Sequence, residues 1–66
     1  MTREEFEAAV KAVWPDAKVS VHDYGAPSIL VRVERQTVTF RIEILAPEQK
    51  AMAAALAAVR GAQTNA

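Results

Sequence analysis

Residues 17–45 read AKVSVHDYGAPSILVRVERQTVTFRIEIL, and the alternation inside this stretch decides the fold class. Ala17, Val19 and Val21 alternate with Lys18, Ser20 and His22. Ile29, Val31 and Val33 alternate with Leu30, Arg32 and Glu34. Val38, Phe40, Ile42 and Ile44 alternate with Thr37, Thr39, Arg41 and Glu43. A period of two is that of a strand with one buried and one wet face. Asp23-Tyr24-Gly25-Ala26-Pro27 is turn chemistry between the first two strands. Arg35-Gln36 connects the second to the third, although it is not the Asn-Gly type that a tight hairpin prefers. Pairing Val33 with Val38 sets Val31 against Phe40 and Ile29 against Ile42, so every inward residue meets another. A slip of one residue would turn each apolar group to the wrong face.

Outward from the strands the period changes to that of helices. Thr2-Arg3-Glu4-Glu5 has the spacing of a capping box, and its acids suit the positive end of a helix. Phe6, Ala9, Val10, Val13 and Trp14 then form one apolar stripe, with Glu7 and Lys11 paired on the wet side. Pro15 ends the helix by disfavouring helical geometry at Trp14. After the strands, Ala46-Pro47 opens a second helix with proline at its first position. Met52, Ala55, Leu56 and Val59 are its stripe, and the alanine-rich run Ala51 to Ala58 allows close packing on a sheet. Gly61 is expected to end it, leaving 62–66 as a frayed tail. The sequence therefore predicts one α+β domain over 1–61, in the order α-β-β-β-α. Its three-stranded antiparallel meander carries both helices on one face and leaves the other open to water.

Composition narrows the function classes. A chain of 66 residues holds a marginal core, with a net stability of roughly 3–5 kcal/mol. It contains no cysteine, so it has no disulfide and no thiolate ligand for a metal. The first residues are charged and acidic with no apolar run behind them, and the longest uncharged stretch, Ala51 to Val59, is alanine-rich and far too short to span a bilayer. A cytoplasmic protein without membrane contact is expected. Eight basic and eight acidic residues cancel, whereas a nucleic-acid binder usually carries an excess of Lys and Arg to neutralise phosphates.

The element order, the Gly25-Ala26-Pro27 loop between the first two strands and the alanine-rich second helix together resemble the double-stranded-RNA-binding domain over nearly the whole chain. The resemblance implies the fold and, in that family, a phosphate grip by three lysines at the start of the second helix. If the family's alanine in that motif is Ala51, those lysine positions are held here by Glu48, Gln49 and Met52, and Ser28 follows Pro27 where the family has a loop histidine. The shape carries over; the cations that would bind RNA do not.

No residue constellation points to catalysis, a cofactor or a metal. His22 is the only histidine. Ser20 shares its face, about 7 Å away along the strand, too far for a direct Ser–His hydrogen bond. Glu34 and Glu43 are expected on the open face but well apart, a lone histidine cannot build a zinc site, and two glycines make no phosphate loop. The surface that remains is the open face, with Lys18, Ser20, His22, Leu30, Arg32, Glu34, Thr37, Thr39, Arg41 and Glu43. In the register above, Leu30 faces Arg41 and Arg32 faces Thr39, which sets two arginines diagonally around an exposed leucine. Lys18, His22, Tyr24, Leu30, Arg32 and Arg41 are the expected partner-binding residues, with Leu45 extending the patch. Trp14 belongs either to the core stripe or, at the helix end, to an exposed anchor.

The expected function is a non-enzymatic protein-interaction module binding a protein partner. Small proteins of this type are common in phages and mobile elements, where they act as inhibitors that occlude a CRISPR-type host defence complex. Two alternatives stand beside it. One is a nucleic-acid-binding module of the dsRNA-binding shape, using Lys18, Arg32 and Arg41. The other is a homo-oligomeric subunit, a homodimer for instance, that pairs through its exposed third-strand edge.

Overall fold

The computed structural model describes residues 1–25 and 27–64, without the side chains of 63 and 64; Ala26 in the first turn and Asn65 and Ala66 at the end lie outside the described residues. The first helix, α1 (Arg3–Val13), starts where the capping box places it. The Glu5 N–H donates to the Thr2 hydroxyl at 3.1 Å, and the Thr2 N–H donates to the Glu5 carboxylate at 2.8 Å. Phe6 and Val10 are fully buried along its stripe, with Ala9 and Val13 packed beside them. Glu7 and Lys11 pair at 3.4 Å on the wet side. After Pro15 the chain turns through a hydrogen bond from the Ala17 N–H to the Trp14 carbonyl.

Strands β1 (Ala17–Asp23), β2 (Ser28–Arg35) and β3 (Phe40–Pro47) form an antiparallel sheet in the order β1-β2-β3. Between β1 and β2, Gly25 takes a φ of 90° and donates its N–H to the Asp23 carboxylate, a turn that glycine adopts without steric cost. The second helix, α2 (Glu48–Thr64), follows β3 without a loop. Both helices lie on one face. Phe6, Val10 and Trp14 of the first helical region meet Ile29, Val31 and Val33 of β2 and Ala51, Met52, Ala55, Leu56 and Val59 of α2 in a single buried cluster. Val19, Val21, Phe40, Ile42 and Ile44 close its sides as half-buried edge residues.

Three local expectations are corrected. The β2–β3 register pairs Val33 with Ile42, Val31 with Ile44 and Ile29 with Ala46. The expected pairing of Val33 with Val38 is therefore displaced by four residues. Side-chain faces survive, because an even displacement keeps the period-two alternation in phase. The connection is a turn over residues 36–39 in place of the two-residue Arg35-Gln36, so Thr37 and Thr39 leave the open face and Val38, expected in the core, is exposed. The second correction concerns Pro47, which ends β3 opposite Ser28, so that helix begins at Glu48. The third concerns Gly61, which lies inside α2 and does not end it; the helix runs on to Thr64.

Asp16 is bonded to the wider turn. Its carboxylate accepts hydrogen bonds from the Thr37 hydroxyl at 2.6 Å and the Thr37 N–H at 3.2 Å. It also accepts from Arg35, at 3.1 Å from Nη2 and 3.3 Å from Nε. The Thr37 hydroxyl first, and Arg35 after it, hold the Asp16 carboxyl well below the usual carboxylate range. Above the same end of the sheet, Arg35 stacks over Trp14 at 5.1 Å and Trp14 meets Phe40 edge-on at 5.0 Å. Trp14 is thereby a core residue, 6% exposed.

Candidate functional site

The face of the sheet opposite the helices is built by the outward residues of all three strands, and the observed register arranges them in rows. Lys18, Glu34 and Arg41 form the first row, Ser20, Arg32 and Glu43 the second, and His22, Leu30 and Leu45 the third. No helix covers these rows, since both helices are committed to the other side.

Charge gathers at one end. Glu43 forms an ion pair with Arg41, 3.0 Å from its Nε, and lies 3.6 Å from Arg32 Nη2. Arg32 sits at the centre of the central strand. Its Nε is buried and has no hydrogen-bond partner, so its stem is desolvated while its outer nitrogen reaches the shared carboxylate. The expected geometry around the arginines is corrected here: Leu30 faces Leu45 and not Arg41, and Arg32 faces Glu43 and not Thr39. The arginines remain diagonal neighbours, but a glutamate bridges them and no leucine stands between them. Glu34 and Glu43, expected to be well apart, sit on adjacent rows of adjacent strands for the same reason.

The other end is apolar and aromatic. Leu45 is 66% exposed and Tyr24, just beyond β1, is 71% exposed. The Tyr24 ring stacks on His22, with centroids 6.4 Å apart and planes 26° apart. Leu30 lies between His22 and Leu45 in register. The fold thus brings Lys18, His22, Leu30, Arg32 and Arg41 onto one plane, with Tyr24 at its rim. Ser20 and His22 share the plane without a hydrogen bond joining them. Among the described residues no group of His, Cys, Asp or Glu could hold a metal ion, and no helix is long and apolar enough to cross a membrane.

A second polar cluster, unforeseen from the sequence, ties the start of α2 to the N-terminal segment. Arg3 donates to Glu48 at 2.8 Å and lies 3.7 Å from Asp23. The N-terminal amine donates to the Gln49 side chain at 2.8 Å, and Gln49 returns a hydrogen bond to the Met1 carbonyl. Only proximity in the fold joins residues so far apart in the chain. The cluster bears on the resemblance to the dsRNA-binding domain. Of the three positions where that family has phosphate-gripping lysines, Glu48 is engaged by Arg3, Gln49 by Met1, and Met52 is fully buried. Comparison with protein-family models, curated proteins and solved structures finds no match, so the likeness rests on the order of elements.

Proposed function

We propose that this chain is a small, non-enzymatic protein-interaction module that docks a protein partner on its open sheet face. The observation that carries the reading is the exposed row His22–Leu30–Leu45 with Tyr24 stacked at its rim, next to the Arg32–Glu43–Arg41 network. Tyrosine and arginine are the side chains most enriched among residues that dominate binding energy, and apolar surface beside a charged rim is the usual anatomy of an interface. The partner that fits has an apolar centre to meet Tyr24 and Leu45 and an acidic group to compete for Arg32 and Arg41. The narrower form of the proposal, an inhibitor that occludes a CRISPR-type defence complex, makes the same face the occluding surface.

Two features weigh against a nucleic-acid partner. Glu43 lies against both arginines of the face, and the start of α2 offers an acid, an amide and a buried methionine where phosphate contacts would be needed. The test is affinity capture with the purified chain, repeated with Tyr24→Ala, Leu45→Glu and Arg32→Glu. Each of these exposed-face changes is expected to leave the thermal unfolding cooperative and to remove the captured protein. Capture that survives all three overturns the reading, and so does tight binding to duplex RNA or DNA with a steep salt dependence. Addition of the chain to a reconstituted defence-nuclease cleavage assay tests the narrower form.

A further inference from the structure

We infer that the free edge of β3 is a self-association surface, on which two copies pair antiparallel about Ile42 to make one continuous six-stranded sheet. β3 is the last strand of the sheet, so every second residue turns its N–H and C=O away from β2, and among the described residues no backbone hydrogen bond outside the sheet ladder involves them. The core-facing residues Phe40, Ile42 and Ile44 are only half-buried, whereas those of β2 are buried. The solvent side of α2 beside this edge is unobstructed by bulk: its exposed positions between Met52 and Val59 are all alanine, Ala53, Ala54, Ala57 and Ala58.

The charges select the register. In a two-fold antiparallel pair, residues can face each other only if both point to the same side of the sheet, which restricts the alignments to even steps. Centring the pair on Arg41 opposes Arg41 to its own copy, and centring it on Glu43 opposes two glutamates; like charges directly across are destabilising. Centring it on Ile42 sets Arg41 opposite Glu43 of the second copy and Glu43 opposite Arg41. It also sets Phe40 opposite Ile44 on the core side, with Ile42 on the axis. Centring it on Ile44 leaves both charges without an opposite partner and sets Arg41 against Pro47, which cannot donate to a ladder; in the pair about Ile42, Pro47 falls outside the paired segment. The edge of β1 has no such complementarity. Its open-face residues are Lys18, Ser20 and His22, with no acid among them. The occupant that the β3 edge fits is therefore a second copy of this chain. The two surfaces share Arg41 and Glu43, which stand on the open face at the β3 edge, but self-association is read by sedimentation and docking by capture, so either assignment can fail without the other.

The experiment is sedimentation of the purified chain over roughly a hundredfold concentration range, with charge reversals on β3. The wild type is expected to shift from monomer to dimer and no further. Arg41→Glu and Glu43→Arg, each alone, are expected to raise the dimer dissociation constant roughly tenfold or more by opposing like charges twice. An equimolar mixture of the two variants restores the dimer, because each then opposes the other's charges. Should either reversal fail to fold, as read by circular dichroism, Arg41→Gln and Glu43→Gln replace them, each weakening the dimer, with partial rescue on mixing because the mixed dimer regains one Arg41–Glu43 pair. A wild type that stays monomeric overturns the inference, as does growth beyond a dimer. A dimer insensitive to the reversals but lost with Leu45→Glu also overturns it, by placing the contact on the sheet face.

Discussion

Val31 and Leu30 are adjacent on β2 and point to opposite sides of the sheet, and truncating each to alanine separates their fates. Val31 is fully exposed to nothing but the core: its side chain is 0% accessible, in a row with Val21 and Ile44 beneath the helices. Val31→Ala removes two carbons, about 1.6 kcal/mol at ~0.8 kcal/mol each. The void left between sheet and helices raises the loss to about 2–3 kcal/mol. Leu30→Ala removes three carbons, so side-chain hydrophobicity alone ranks it as the more damaging change. Leu30 is half-exposed on the uncovered face, and its truncation is expected to cost about 0.5–1 kcal/mol. A domain this small has roughly 3–5 kcal/mol to lose. Urea unfolding followed by circular dichroism reads the difference. With a denaturant slope near 1 kcal/mol per molar, the Val31→Ala midpoint falls by roughly 2–3 M and the Leu30→Ala midpoint by less than about 1 M. A Leu30→Ala protein as unstable as Val31→Ala would refute the assignment of faces, and with it every statement about an open surface.

Two further substitutions probe the corrected elements. Asp16 is ionised in the fold at acidities where the same group in the unfolded chain takes up a proton, because its folded-state pKa is lowered by Thr37 and Arg35. Its contribution is therefore complete above the unfolded value near 4 and is lost as pH falls through and below it. The melting temperature of the wild type should drop more steeply between about pH 5 and about pH 3 than that of Asp16→Asn; parallel curves would show that the contact does not stabilise the fold. Gly61→Ala, inside α2 with nothing within 4 Å of the added carbon, should stabilise by about 0.5–1 kcal/mol in thermal or urea unfolding. A loss of stability would restore Gly61 as a helix terminator.

The open face does not depend on the exact strand register, but its pattern does. Moving β3 by four residues leaves the same arginines outward and changes what each one meets. Glu43 comes to bridge Arg32 and Arg41, and Leu45 comes to extend Leu30 into an apolar row. The contrast between a charged end and an aromatic end, on which the docking proposal rests, exists only in the observed register.

By itself the sequence determined the order of the elements and, outside the 36–39 turn, which side chains of the strands point inward; it misplaced the start of β3, the side of Pro47 and the end of α2. Period two in 17–45, the stripe from Phe6 to Trp14 and the Thr2–Glu5 box act over neighbours in the chain, where the physics is local. Only the tertiary structure decided where β3 stops sliding along β2. Alternation is unchanged by any even displacement, so pattern alone leaves several registers equivalent. In the observed register Asp16, beside the Ala17–Arg35 pair, binds Arg35 and Thr37, and Trp14 seats between Arg35 and Phe40. Those contacts join the end of α1 to the β2–β3 turn, residues that no short-range rule brings together.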